Sequence, residues 1–286
     1  MKVETGASHA AKWLVAAVIA LGMTSAMAQI TGTKHNLSKA TPAAGETSQL
    51  CVFCHTPHGS DTSAAVPLWN KGLPAGNTYN VYNSAPATAT STIDGEILTS
   101  VGSVSIACLS CHDGSQAMDN MINKPGSGGY AASGANLGTL GVMAGIPIPR
   151  LGTDLKNDHP IGIQYCGGGI TATAGGVAQG TCADSDFIGI AAVTGSFYTG
   201  ATVKAKLSGT NPVFWVETGA LAAGRQKTDL PLYTRTEFAG GVAQPSVECG
   251  SCHDPHVASI VTGGEAIQFM RVTTAGSAIC LSCHVK

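Results

Sequence analysis

Four copies of one pattern, Cys-x-x-Cys-His, constrain this chain more than anything else in it: Cys51–His55, Cys108–His112, Cys249–His253 and Cys280–His284. They use Cys51, Cys54, Cys108, Cys111, Cys249, Cys252, Cys280 and Cys283, eight of the ten cysteines. This spacing suits c-type haem attachment. Each thiol adds to a haem vinyl group as a thioether, and the following residue (His55, His112, His253 or His284) ligates the iron. A chain with four such sites must arrange its backbone around four large, flat, apolar bodies. The competing use of four Cys-x-x-Cys pairs is two zinc ribbons, each closed by four thiolates. A ribbon does not need His directly after every second Cys, and here His follows all four times.

The chain has nine histidines. His9 lies in the N-terminal segment 1–28, and four belong to the motifs. The other four, His35, His58, His159 and His256, match in number the sixth coordination positions of four haem irons. Bis-histidine ligation throughout is therefore expected, with no open iron. Met118, Met121, Met143 and Met270 are the competing soft ligands, and a single Met-ligated iron stays an alternative. With no open position, electron transfer is expected rather than catalysis, at low to moderate potentials. An enzyme or sensor with one open iron is the other class. His58 follows His55 by three residues, with Pro57 stiffening the link. It is thus expected to serve the neighbouring haem on Cys108 and Cys111, and His256 the haem on Cys280 and Cys283. His35 and His159 would complete the haems on Cys51/Cys54 and Cys249/Cys252.

The motifs also repeat as pairs. Residues 51–58 read CVFCHTPH and 249–256 read CGSCHDPH; residues 105–112 read SIACLSCH and 277–284 read SAICLSCH. Haem attachment requires the Cys and His but not the shared Pro-His or Leu-Ser, so the chain reads as two copies of a two-haem module. Residues 29–160 form the first module, with an N-terminal arm and a distal His159 loop. Residues 161–243 form a Gly-rich β insert, and residues 244–286 the second module. Strand-like patches fall at 186–192, 196–206 and 212–217. Cys166 and Cys182, outside any motif, are expected to form a disulfide in an exported chain. Aromatic residues are only 5% of the chain. The expected fold is therefore mostly irregular and haem-packed, with short helices at the CxxCH segments and a small antiparallel β insert.

Residues 1–28 read as a signal peptide: Lys2 and Lys12, an apolar run from Trp13 to about Leu21, and an Ala26-Met27-Ala28 cleavage site. The run is too short to span a membrane, so the mature chain is expected to be exported and to carry no membrane span. Charged residues are 11% of the chain, against about 25% in ordinary domains. The net charge is −2 and no basic patch exists, which argues against nucleic acid as a partner. So sparsely charged a surface offers little resistance to self-association.

Together, CVFCHTPHG, NDHPIG at 157–162, the SCHDPH and CLSCH segments and the TKHNLS start resemble the OmcE-like family of bacterial tetrahaem c-type cytochromes. The resemblance covers well under half of the chain. It implies four covalent c-type haems with bis-His iron, an extracellular or outer-surface location, and a homopolymeric conductive filament (nanowire) delivering electrons to redox partner proteins or extracellular acceptors. It further implies that a histidine of one subunit can ligate a haem of the next, with His35 the candidate, whereas the self-contained module keeps His35 within its own chain. A monomeric periplasmic tetrahaem shuttle is the alternative.

Overall fold

The computed structural model describes residues 29–285 apart from 75–77, 83–97, 99, 127–128, 146–148, 194–199, 219–224, 258–259, 263–264 and 268. The expected signal peptide lies outside the described residues. Regular structure comes mainly from antiparallel pairing. Strands β1 (Asn120–Asn123) and β2 (Tyr130–Asn136) form a hairpin after helix α1 (Ser103–His112). A five-stranded sheet follows, built from β3 (Ile163–Gln164), β6 (Thr202–Ser208), β7 (Asn211–Glu217), β8 (Leu230–Arg235) and β9 (Gln244–Val247) in the order β3-β9-β8-β7-β6. Small hairpins pair β4 (Ile170–Ala172) with β5 (Ala178–Gly180), and β10 (Ile260–Thr262) with β11 (Glu265–Ile267). Two single-turn helices, α2 (Cys249–Cys252) and α3 (Ala278–Leu281), carry motif residues.

The expectation of a mostly irregular, haem-packed chain with a small β insert is overturned. The fold is β-rich, with four antiparallel sheets among the described residues. Its main core needs no cofactor. Tyr165, Ile170, Ile188, Val203, Phe214, Val216, Leu230 and Leu232 close on one another with 2% exposure or less. Aliphatic residues on alternate strand positions thus do what the scarce aromatics could not. The turn from β6 to β7 is two residues, with Gly209 at φ +63° as a tight primed turn requires. Of the strand-like patches, 212–217 falls in β7 and the 202–206 part of 196–206 in β6, residues 196–199 lying outside the described residues, while 186–192 is irregular, with Ile188 in the core.

Nor is the sheet separate from the second module. Strand β9 leads through Glu248 straight into α2 and the third motif. Val272 and Ala278, just before the fourth motif, fill the sheet's core. The Cys166–Cys182 disulfide is formed, with Cα atoms 5.3 Å apart. The segment beyond it runs along the chain's C-terminus: Ile188 N–H bonds the Cys283 carbonyl (2.8 Å) and Val285 N–H bonds that of Asp186 (2.7 Å). The Tyr165 hydroxyl bonds the Ile188 carbonyl at 2.9 Å. The disulfide loop therefore braces the fourth motif. Replacing Cys166 and Cys182 together by Ser should cost about 3 kcal/mol in denaturant titrations, the entropy of the released loop. Amide exchange should rise first at 188 and 285.

Candidate haem-attachment sites

Every motif is one helical turn. In three of them the His N–H donates to the carbonyl of the first Cys: His55 to Cys51 (2.8 Å), His253 to Cys249 (3.0 Å) and His284 to Cys280 (2.9 Å). The other, Cys108–His112, is the end of α1. Positions i, i+3 and i+4 of a turn share a face, so each motif presents two thiols and an imidazole to one side. The repeated Leu-Ser has a local explanation. Ser110 and Ser282 are fully buried, and their hydroxyls bond back to the carbonyls of Ala107 (2.6 Å) and Ala278 (2.8 Å).

The imidazoles are oriented by backbone. His55 Nδ1–H donates to the Pro67 carbonyl at 2.7 Å, and His112 Nδ1–H to the Pro149 carbonyl at 2.8 Å. A carbonyl only accepts, so Nδ1 holds the proton and Nε2 is left as the free donor to a metal. His159 is held the same way by Pro160 (3.0 Å), and His35 bonds the Pro255 backbone.

Two pairs of rings face each other. His55 and His256 are nearly parallel (18°), with centroids 5.9 Å apart; His35 and His112 lie 6.1 Å apart at 71°. Two imidazoles bound through Nε2 to one metal at about 2.0–2.1 Å hold their centroids roughly 6.3 Å apart. Both couples have close to the centroid separation that two imidazoles on one metal would need. The pairing differs from the expected one: His256 stands against His55 rather than the fourth motif, and His35 against His112 rather than His55. His35 is also stacked on Phe269 at 4.0 Å. Burial, and next the neighbouring His112, pull its pKa from 6.5 to about 4, which keeps it in the neutral form that ligates a metal.

His58 and His159 are exposed and stand apart from these pairs. His58 opens onto a cleft of about 440 Å3 lined also by Val52, Thr56, Lys124 and Tyr130. Of the competing methionines, Met121 is fully buried in β1, and Met270 forms a backbone bridge with His253.

The motifs follow one another in space in chain order. Cys54 is raised to about 12 by burial and then by nearby Cys111. Cys108 and Cys249 hydrogen-bond to each other, raising the first and lowering the second. Cys252 rises to about 11 through burial and then the thiols of Cys249 and Cys280. Among the described residues no group of three or more His, Cys, Asp or Glu side chains could hold a metal ion, whereas a zinc ribbon needs four.

The second and third motifs are joined by a buried polar cluster. Glu248, 1% exposed, accepts from Ser105 Oγ of α1 (2.6 Å) and from Arg235 Nη1 of β8 (2.9 Å). Its side chain also caps α2, with Ser251 returning the bond at 3.1 Å. Ser105 Oγ in turn accepts from Cys249 N–H (3.0 Å). Burial pushes the Glu248 carboxyl up, while Ser105, Arg235 and the Gly102 N–H hold it down. A methyl group at Gly102 would run into this carboxylate. The sequence reading missed Glu248 and Arg235. Their only signal was a Glu directly before a Cys-x-x-Cys.

The module duplication recurs in the backbone. Thr56 N–H bonds Leu68 O (2.9 Å), and Asp254 N–H bonds Phe269 O (2.8 Å). Asn70 N–H bonds Cys54 O, and Arg271 N–H bonds Cys252 O, both at 2.9 Å. Leu68 and Phe269 share the left-handed conformation, φ +57° and +60°.

The chain matches no family model and no curated protein. Among the described residues no helix is long and apolar enough to cross a membrane.

Glu248→Ala should destabilise the protein by about 1–3 kcal/mol, because it leaves the Ser105 hydroxyl and Arg235 Nη1 without their buried acceptor while Arg235 keeps its pairing with Glu237 at 3.1 Å; Glu248→Gln should cost less in the same denaturant titration. A second expectation concerns the pH dependence of the haem-free chain, in which His35 is not held by a metal. The folded pKa of His35 lies below its unfolded value, so the unfolded chain takes up a proton that the folded chain refuses. Stability should fall as pH drops from 6.5 to about 4, by at most roughly 3 kcal/mol. His35→Asn should flatten that slope.

Proposed function

We propose that the protein is a tetrahaem c-type cytochrome of the OmcE-like kind, an electron carrier rather than an enzyme. It works outside the cytoplasm, assembled head to tail into an extracellular filament. The observation that carries this reading is the pair of imidazole couples, His55 with His256 and His35 with His112, each beside a motif turn, at centroid separations of 5.9 and 6.1 Å. Bound haem would supply a one-electron iron couple. The chain's own residues do the rest: thiols tether, proline carbonyls fix the imidazole tautomer, and the β scaffold sets the order of the motifs.

The duplication assigns the remaining ligands. Upstream His35 stands against the second motif of the first module, so its counterpart His159 serves His284 of the second. His256 stands against the first motif of the preceding module. Repeating the same step for its counterpart His58 puts it against the matching motif histidine, His253, of another copy. The His58 side chain is exposed and fronts a cleft, as such a contact requires. A contact of this heterologous kind does not close on itself and grows into a filament. On this reading His35, the cross-subunit candidate that the resemblance suggested, serves the haem of His112 in its own chain.

Pyridine haemochrome assay of the secreted protein should give four c-type haems per chain. Electron microscopy should show filaments that bind no carbon monoxide when reduced. His58→Ala should abolish the filaments and expose one carbon-monoxide-binding haem per chain. A wild-type monomer with every iron closed would favour the soluble shuttle instead.

A further inference from the structure

The two modules treat one buried cation differently. In the second module, Arg271 follows the segment that returns over the motif turn. Its guanidinium donates to the Gly250 carbonyl (3.0 Å) and pairs with the Asp254 carboxylate (3.0 Å). In the first module the residue matching Asp254 is Thr56, and the residue matching Arg271 is Asn70. The cation has moved one place on, to Lys71.

Lys71 is 1% exposed. Its Nζ donates to three backbone carbonyls: Ala117 (3.2 Å), Met118 (3.1 Å) and Asn120 (2.8 Å). Three acceptors and no donor around one nitrogen require the charged ammonium, with its three protons. Among the described residues no carboxylate lies within 4.0 Å of it. Asp119, between two of those carbonyls, directs Oδ2 to the N–H groups of Thr139 (2.9 Å) and Leu140 (2.8 Å) and to the Thr139 hydroxyl (3.3 Å). Lys71 thus sits one residue from Asn70, which is bonded to Cys54 of the first motif, and on the loop that leaves the second motif after His112. It is a full charge in a low-dielectric place, where a charge acts strongly on its neighbours.

We infer that Lys71 is a tuning residue that raises the reduction potential of the haem on Cys51 and Cys54 above that of its duplicate on Cys249 and Cys252, making the first module the electron-accepting end of the chain. A ferrous centre carries one positive charge less than a ferric one, so a fixed cation beside it favours reduction. In the second module Asp254 cancels the corresponding cation. This inference rests on the tetrahaem reading. It adds a direction of electron flow within each subunit.

The test is a spectroelectrochemical titration of the holoprotein, with haem content measured on the same samples. Lys71→Met keeps the chain's length and apolar bulk but removes the charge. One of the four one-electron waves should move to lower potential by about 59 mV, equal to about a tenfold change in the oxidised-to-reduced ratio. Lys71→Gln also removes the charge and should move the same wave downward by a similar amount. Lys71→Gln decides the matter if Lys71→Met fails to fold. Four waves unmoved by a folded Lys71→Met or Lys71→Gln overturn the inference while leaving the haems in place. A wild-type protein without covalent haem overturns the tetrahaem reading itself.

Discussion

One buried carboxylate holds the halves of this protein together. Glu248 is the last residue before the third motif. It bonds Ser105 on the helix of the second motif, Arg235 on the central sheet, and the first turn of the third motif. A charge this deep is tolerated only where every lone pair has a donor. That requirement fixes three elements at once. It also dictates the glycine at 102, where any side chain would meet the carboxylate. The spacing between the second and third motifs is therefore set by polar geometry rather than by apolar packing, which would admit sliding.

The second organising fact is repetition. The two modules share their motif pattern and also the way a returning segment closes over the motif turn, down to a left-handed residue at 68 and at 269. A non-glycine residue pays a steric cost there, so its recurrence reflects a requirement of the turn, which needs the carbonyl of that residue for the N–H of Thr56 or Asp254. The copies differ in charge and in surroundings: Lys71 is held by backbone carbonyls alone whereas Arg271 pairs with Asp254, and His256 has the His55 ring beside it.

Much of the candidate site was legible in the sequence because it is local. The motif spacing fixes two thiols and an imidazole on one helical turn whatever surrounds them, and the disulfide followed from two leftover cysteines. The fold was not legible in the same way. Strands β7, β8 and β9 contain Pro212, Pro231 and Pro245, residues that ordinarily argue against a strand, and the sheet's core uses aliphatic residues where aromatic content gave no hint. Which histidine rings stand beside one another was not legible for a different reason. Short-range stiffness at Pro57 bears on where His58 cannot reach, but which distant ring stands opposite depends on the sheet and on the Glu248 cluster, and neither has a local signature.

The proline carbonyls at 67 and 149 carry a consequence of another kind. Each fixes the tautomer of a motif imidazole through a backbone oxygen, a group that every amino acid possesses. A carboxylate in that role could be deleted by one codon change, and its negative charge would also make the imidazole more electron-rich. A carbonyl anchor survives substitution of its side chain and adds no formal charge. The orientation of these rings is thus protected against mutation, and the charges that distinguish one site from another are free to vary elsewhere.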